Sequence, residues 1–198
     1  MAVILVTGFE PFLNEKINPS QEIVRSLVDH PDVDTLILPV SYQRSWQGLR
    51  TCLDKKTYEF ILMLGQAGGR SQISLEKVAL NLQDSASADE DGVLRLDQTI
   101  SADGPEAIIN PLQLREWASL LQSKHQPVSV SHSAGAFVCN SLYYQLSESL
   151  LGSKCTSVLF VHVPYLPEQV REKEKFTPSL PLEVMKASVQ NLIELVLL

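Results

Sequence analysis

Short apolar runs recur along this chain, and between them lie segments whose apolar residues return every three or four positions. Val3 to Val6 is an unbroken apolar run closed by Gly8 and Pro11, as in a strand covered on both faces. NPSQEIVRSLVDH then has the pattern of a helix, with Ile23, Val24, Leu27 and Val28 on one face. TLILPV is a second strand, and SYQRSWQGLRTCLDKK a helix that turns Trp46, Leu49, Cys52 and Leu53 inward. YEFILMLG is a third strand, running into the glycine-rich GQAGGR, and ISLEKVALNL a fourth. Residues 83–110 are polar and irregular, a long surface excursion with room for a short hairpin. Pro111 opens a helix through LQLREWASLLQSK; PVSVSHS is a strand, 136–151 a helix, TSVLFVHV a strand and 181–198 the closing helix. This alternation predicts an α/β fold: a three-layer α/β/α sandwich around a largely parallel, twisted sheet, with residues 1–198 forming a single domain.

Composition narrows the function. With 198 residues, 44% hydrophobic and 20% charged, the chain can bury a sizeable core. A net charge of −7 without a basic cluster excludes nucleic acid as the expected partner. No apolar run approaches the roughly 18–20 residues of a membrane helix. MAVILVTGFEPF lacks a basic leader and reads as a buried strand rather than a signal peptide. Cys52, Cys139 and Cys155 are too few and scattered for a disulfide framework and suit a reducing cytoplasm. No CxxC, HxxxH or HExxH spacing supports a metal site.

Parallel sheets gather their chemistry at the carboxyl ends of strands, which here are Thr7–Phe12, Gly65–Arg70, Ser131–Cys139 and His162–Gln169. In SAGAFVCN the chain leaves a strand, turns at Ala134-Gly135 and sets Cys139 in the first turn of a helix. The helix dipole favours a thiolate there, and backbone N–H groups at such a turn suit an oxyanion; the competing account is a packed core cysteine. His162 ends a strand that is apolar on both faces, as a core residue or as a base facing the crevice. His132, also at a strand end, is its rival. Glu76 shares strand parity with Val78, Leu80 and Leu82, so its carboxylate points along an apolar row and needs a partner; a surface pairing with Lys77 or Arg70 is the alternative. GQAGGR matches no phosphate loop and suits close backbone approach to a small ligand.

TGFEPF with NPS, GQAGGR continuing to ISLEKVALN, SAGAFVCN and FVHVPYLPEQ together resemble the pyroglutamyl peptidase I family of cysteine peptidases, from Thr7 to Gln169. The resemblance implies a cytoplasmic exopeptidase, a single catalytic domain that removes N-terminal pyroglutamate from peptides. Its Cys139–His162–Glu76 triad would form a thioester intermediate without metal or organic cofactor, with Cys139 held as a thiolate. It implies that Phe9 and Phe12 sandwich the lactam ring, that Gln66 meets its amide edge, and that Phe137 and Val138 add walls. His132 falls where a tyrosine is common and drops to a neighbour. A homo-oligomer, often a tetramer, is implied as well; 83–110 and the apolar tail LIELVLL are candidate contact surfaces, with core packing the alternative for the tail.

Two departures stand out. Ala86 and Ser87 occupy the places of the arginine and isoleucine of the family's DARIPDN, and Leu13-Asn14 those of a usual Gly-Gly. They leave open an amidohydrolase of altered acyl specificity, or a lactam-binding relative without turnover.

Overall fold

A computed structural model describes residues 3–153, 155–171, 173 and 176–198. Its main sheet has six strands in the order β2-β1-β3-β8-β4-β7. These are β1 (Ile4–Phe9), β2 (Val33–Leu38), β3 (Phe60–Gln66), β4 (Ile73–Glu76), β7 (Val128–Ser131) and β8 (Ser157–Val163). β2, β1, β3 and β8 run parallel; β4 is antiparallel to β8, and β7 is parallel to β4. The expected largely parallel sheet is present, with two reversed strands at one side. Strand carboxyl ends therefore do not share one edge.

Helices cover both faces. Against one pack α1 (Pro19–Arg25), α3 (Leu114–Ser123) and α5 (Leu182–Val196), with Ile23, Leu121, Val189 and Leu192 meeting Val6, Leu62 and Val161. Against the other pack α2 (Tyr42–Leu53) and α4 (Val138–Ser149), with Leu49, Leu142 and Tyr143 meeting Leu5, Ile61 and Phe160. Period-2 alternation along each strand divides the two cores. No helix among the described residues is long and apolar enough to cross a membrane.

Several elements differ from the sequence expectation. α1 stops at Arg25, and Val28 is 62% exposed rather than part of the inward face. The strand expected over 73–82 breaks at Lys77, so β5 (Val78–Leu80) leaves the main sheet and pairs with β6 (Ala107–Ile109). Buried Asn140 enforces the break, accepting from Leu80 N at 2.9 Å and donating to Leu80 O and Leu82 O. The 83–110 excursion is ordered from within: Asn81 Oδ1 accepts from Ile100 N and Ser101 N, and Gln83 bridges Gln98. The helix expected from Pro111 begins at Leu114. The apolar part of the tail is largely core, with Leu192 and Ile193 buried and, among its leucines, Leu197 and Leu198 turned outward.

Candidate active site

α4 carries the sulfur. Gly135, at φ +79°, makes the turn that brings the chain from β7 into the helix. Phe137 is the N-cap, and the first helical bond runs from Ser141 N to Phe137 O at 3.0 Å. The N–H groups of the first turn, including that of Cys139, thus lie before any intrahelical acceptor. Cys139 is half-buried and lines a cavity of about 290 Å³ that also takes in His162.

His162 reaches the same cavity from the end of β8, where it pairs with Gly65 of β3. Glu76 stands opposite Phe160 in the antiparallel β4–β8 ladder, one pleat repeat below His162 and on the same face. Its Oε1 lies 2.7 Å from His162 Nδ1. Tyr143 donates to the Glu76 main-chain carbonyl at 3.1 Å and accepts from Asn110 Nδ2 at 2.8 Å, which holds this stretch of β4. The surface pairing considered for Glu76 does not occur, because the carboxylate is fully buried. Arg70 nonetheless reaches it, Nη1 to Oε1 at 2.6 Å.

Burial sets the resting charges. It pushes the Cys139 thiol up to about 12, with the nearby Glu76 carboxylate adding to the rise. It also lowers His162, against the raising effect of its bond to Glu76. In the free site, burial thus works against both the thiolate that the resemblance implies and the imidazolium. With Nδ1–H on Glu76, Nε2 is the basic nitrogen.

The cavity walls include Phe9, Phe12, Gln66 and Phe137, as expected. Phe12 and Phe137 face each other at 6.3 Å between ring centroids, and Tyr42 braces Phe137 edge-on at 5.6 Å. Val138 is not among the walls: its side chain is fully buried in the core, because one helical step turns it away from the cavity. His132 is exposed and lies against a separate hollow beside Lys77 and Leu112.

Gln66 presents its backbone. Ala67 N bonds to Val163 O, so alternation turns the Gln66 amide and carbonyl away from β8 and toward β1. There the β1–β3 ladder has ended at Thr7–Met63, and Phe9 N has been diverted to Ser20 Oγ at 3.0 Å. The Gln66 side chain is occupied elsewhere, its Oε1 accepting from Gln169 Nε2 at 2.8 Å.

A family model described as pyroglutamyl peptidase matches residues 2–197. The chain belongs to the pyroglutamyl peptidase family. Pyrrolidone-carboxylate peptidase of Bacillus cytotoxicus is 37% identical, with 100% of this chain and 94% of the relative covered. That of Staphylococcus aureus strain Newman is 40% identical, covering 96% and 92%. The crystal structure of pyrrolidone carboxyl peptidase from Fervidobacterium islandicum AW-1 superposes with a TM-score of 0.92 at 42% identity, covering 98% and 97%. That of Bacillus amyloliquefaciens pyroglutamyl peptidase I gives 0.87 at 34%, covering 94% and 92%.

Against this family background, Ala86 is exposed and outside the cavity walls. Its loop still rims the site: Asp84 N bonds to Ala136 O at 2.9 Å, and Glu90 N to Val40 O at 2.9 Å. Leu13 and Asn14, in place of the usual glycines, both take positive φ, +52° and +63°. Sequence reasoning missed Tyr143, Asn18 and Val40, and offered Arg70 only as a surface partner of Glu76. Only Asn18 had a signal, as the N-cap of NPS.

Proposed function

We propose that this chain is a cysteine exopeptidase that hydrolyses the amide bond after an N-terminal pyroglutamyl residue, through Cys139, His162 and Glu76. The observation that carries the reading is that Cys139 and His162 line one cavity walled by Phe9, Phe12 and Phe137, with Glu76 buried behind the imidazole at 2.7 Å. A flat lactam fits between aromatic faces, provided that its buried N–H and C=O are paired. The Gln66 backbone N–H and C=O, turned toward β1 past the end of the β1–β3 ladder, would supply a donor and an acceptor for that edge.

When substrate fills the cavity, Sγ gives its proton to His162 Nε2 and attacks the pyroglutamyl carbonyl carbon. Glu76 stabilises the imidazolium through Nδ1–H. The oxyanion meets N–H groups of the first turn of α4, including that of Cys139, at the positive end of the dipole. The imidazolium then protonates the departing amine as the C–N bond breaks, leaving a thioester. Water, deprotonated by His162, cleaves the thioester, releasing pyroglutamate and restoring the thiol. Residues 1–198 act in this reading as one catalytic domain. Unpaired Cys52, Cys139 and Cys155 support a cytoplasmic setting. The exposed Leu94, Leu96 and Ile109 on the 83–110 excursion support a homo-oligomer, which light scattering tests.

The deciding experiment is hydrolysis of a pyroglutamyl arylamide by wild type and Cys139→Ser. Turnover by wild type, lost by at least about a thousandfold in the variant, supports the reading. Turnover of other acyl amides only, or binding of a pyroglutamate analogue without turnover, overturns it.

A further inference from the structure

One oxygen of Glu76 carries two donors, His162 Nδ1 at 2.7 Å and Arg70 Nη1 at 2.6 Å, while Oε2 is buried without a partner among the described residues. Arg70 has a second anchor, since Nη2 donates to Ser133 O at 3.0 Å, just before the turn that leads to Cys139. Its side chain is 28% exposed and also lines the catalytic cavity. Among the described residues, the charged and titratable groups that face His162 are Glu76 from β4, Arg70 from the loop between β3 and β4, and Cys139 from α4.

A carboxylate at full burial is costly unless it is paired and hydrogen-bonded. A cation on the same oxygen supplies that pairing and fixes the carboxylate on His162. The cation has a second effect, on the sulfur. Glu76 opposes ionisation of Cys139, and Arg70 favours it.

We propose that Arg70 is a positioning residue for the reaction, holding the Glu76 carboxylate on His162 and offsetting its charge at the Cys139 sulfur. The proposal rests on the Cys–His–Glu reading above. It makes the buried Glu76–Arg70 pair neutral overall, which eases negative charge on Sγ while the Nδ1–Glu76 bond still orients the imidazole. The Ser133 anchor ties the same guanidinium to the approach to α4.

The test uses two substitutions. Arg70→Gln keeps hydrogen-bond donors and removes the charge; Arg70→Lys keeps the charge and loses the planar fork. The readout is the rate at which iodoacetamide alkylates Cys139, followed at that residue by mass spectrometry across pH. It needs no peptide substrate. Expected is an alkylation rate about tenfold lower in Arg70→Gln at each pH below thiol ionisation, mostly recovered in Arg70→Lys. The kcat/KM of Arg70→Gln on a pyroglutamyl arylamide should show its acid limb moved to higher pH, because a positive neighbour of the imidazole is gone. An Arg70→Gln profile that overlies wild type, or an Arg70→Lys variant as slow as Arg70→Gln, overturns the proposal. Should Arg70→Gln not fold by circular dichroism, Arg70→Lys decides alone: alkylation within about threefold of wild type supports the charge role, and a larger loss overturns it. Alkylation as expected without cleavage of any pyroglutamyl amide leaves this role standing and rejects the peptidase reading.

Discussion

Cys139 Sγ lies only 2.9 Å from where a Cβ on Gly65 would stand. Gly65 pairs with His162 across the β3–β8 ladder, so the residue beside the base is also the one that makes room for the nucleophile. Phe160, whose ring would meet the same Cβ at 2.9 Å, closes the other side. Gly65→Ala should therefore push the sulfur or the ring out of place. We expect kcat to fall by more than about tenfold with a stability loss of about 1–3 kcal/mol, read by arylamide kinetics and urea unfolding. An active Gly65→Ala enzyme would contradict this packing.

The resting charges predict pH behaviour. Burial lowers His162, so the imidazole stays neutral to a lower pH than its ordinary value of about 6.5. The acid limb of kcat/KM is expected below that value. Stability carries the same sign. The unfolded chain takes up this proton at about 6.5 and the folded chain only lower, so the contribution is full above 6.5 and is lost as pH falls toward the folded value. Urea unfolding at pH 7.5 and 5.5 should show wild type losing on the order of 1 kcal/mol more than His162→Gln. With its thiol held up to about 12, Cys139 of the free protein should be alkylated more slowly at neutral pH than the exposed Cys155.

Phe9 and Phe12 share a cavity but differ in burial. Phe9 is 2% exposed and belongs to the core under α2 and α4, whereas Phe12 is half-buried. Phe9→Ala should cost about 3–5 kcal/mol, measured by urea unfolding. Phe12→Ala should leave the melting temperature within a few degrees and raise KM by about tenfold, with kcat little changed. Equal effects of the two on KM and stability would remove the distinction.

Leu13 sits in the left-handed region at φ +52° with its side chain 55% exposed. A branched residue there is strained by roughly 1–2 kcal/mol, and little burial repays it. Leu13→Gly should stabilise the protein by about 0.5–1 kcal/mol, after the extra chain entropy that glycine brings to the unfolded state. An unchanged or lower urea midpoint would contradict the strain.

The local code made much of this molecule legible. Apolar runs such as Ile4–Val6 and Phe60–Leu64 are buried on both sides, and strands bear that signature because both faces must shed water. The parity of Val158, Phe160 and His162 put His162 on its observed face, since side-chain alternation needs no tertiary information. Less legible was the end of β4, where periodicity continues through Val78 and Leu80. What stops the strand is Asn140, distant in sequence, capturing the backbone of Leu80 and Leu82.

The sequence by itself determined which residues could carry chemistry: a cysteine at a helix start, a histidine at a strand end and a carboxylate in an apolar row. Those are properties of residue type and short-range pattern. Only the tertiary structure decided that β4 runs against β8, which sets Glu76 one pleat repeat from His162, and that Arg70 closes over their shared oxygen. It also decided the resting charges, because ionisation depends on the burial and neighbours of a group and not on its identity. Strand direction and burial are settled by long-range packing, which no window of neighbouring residues encodes.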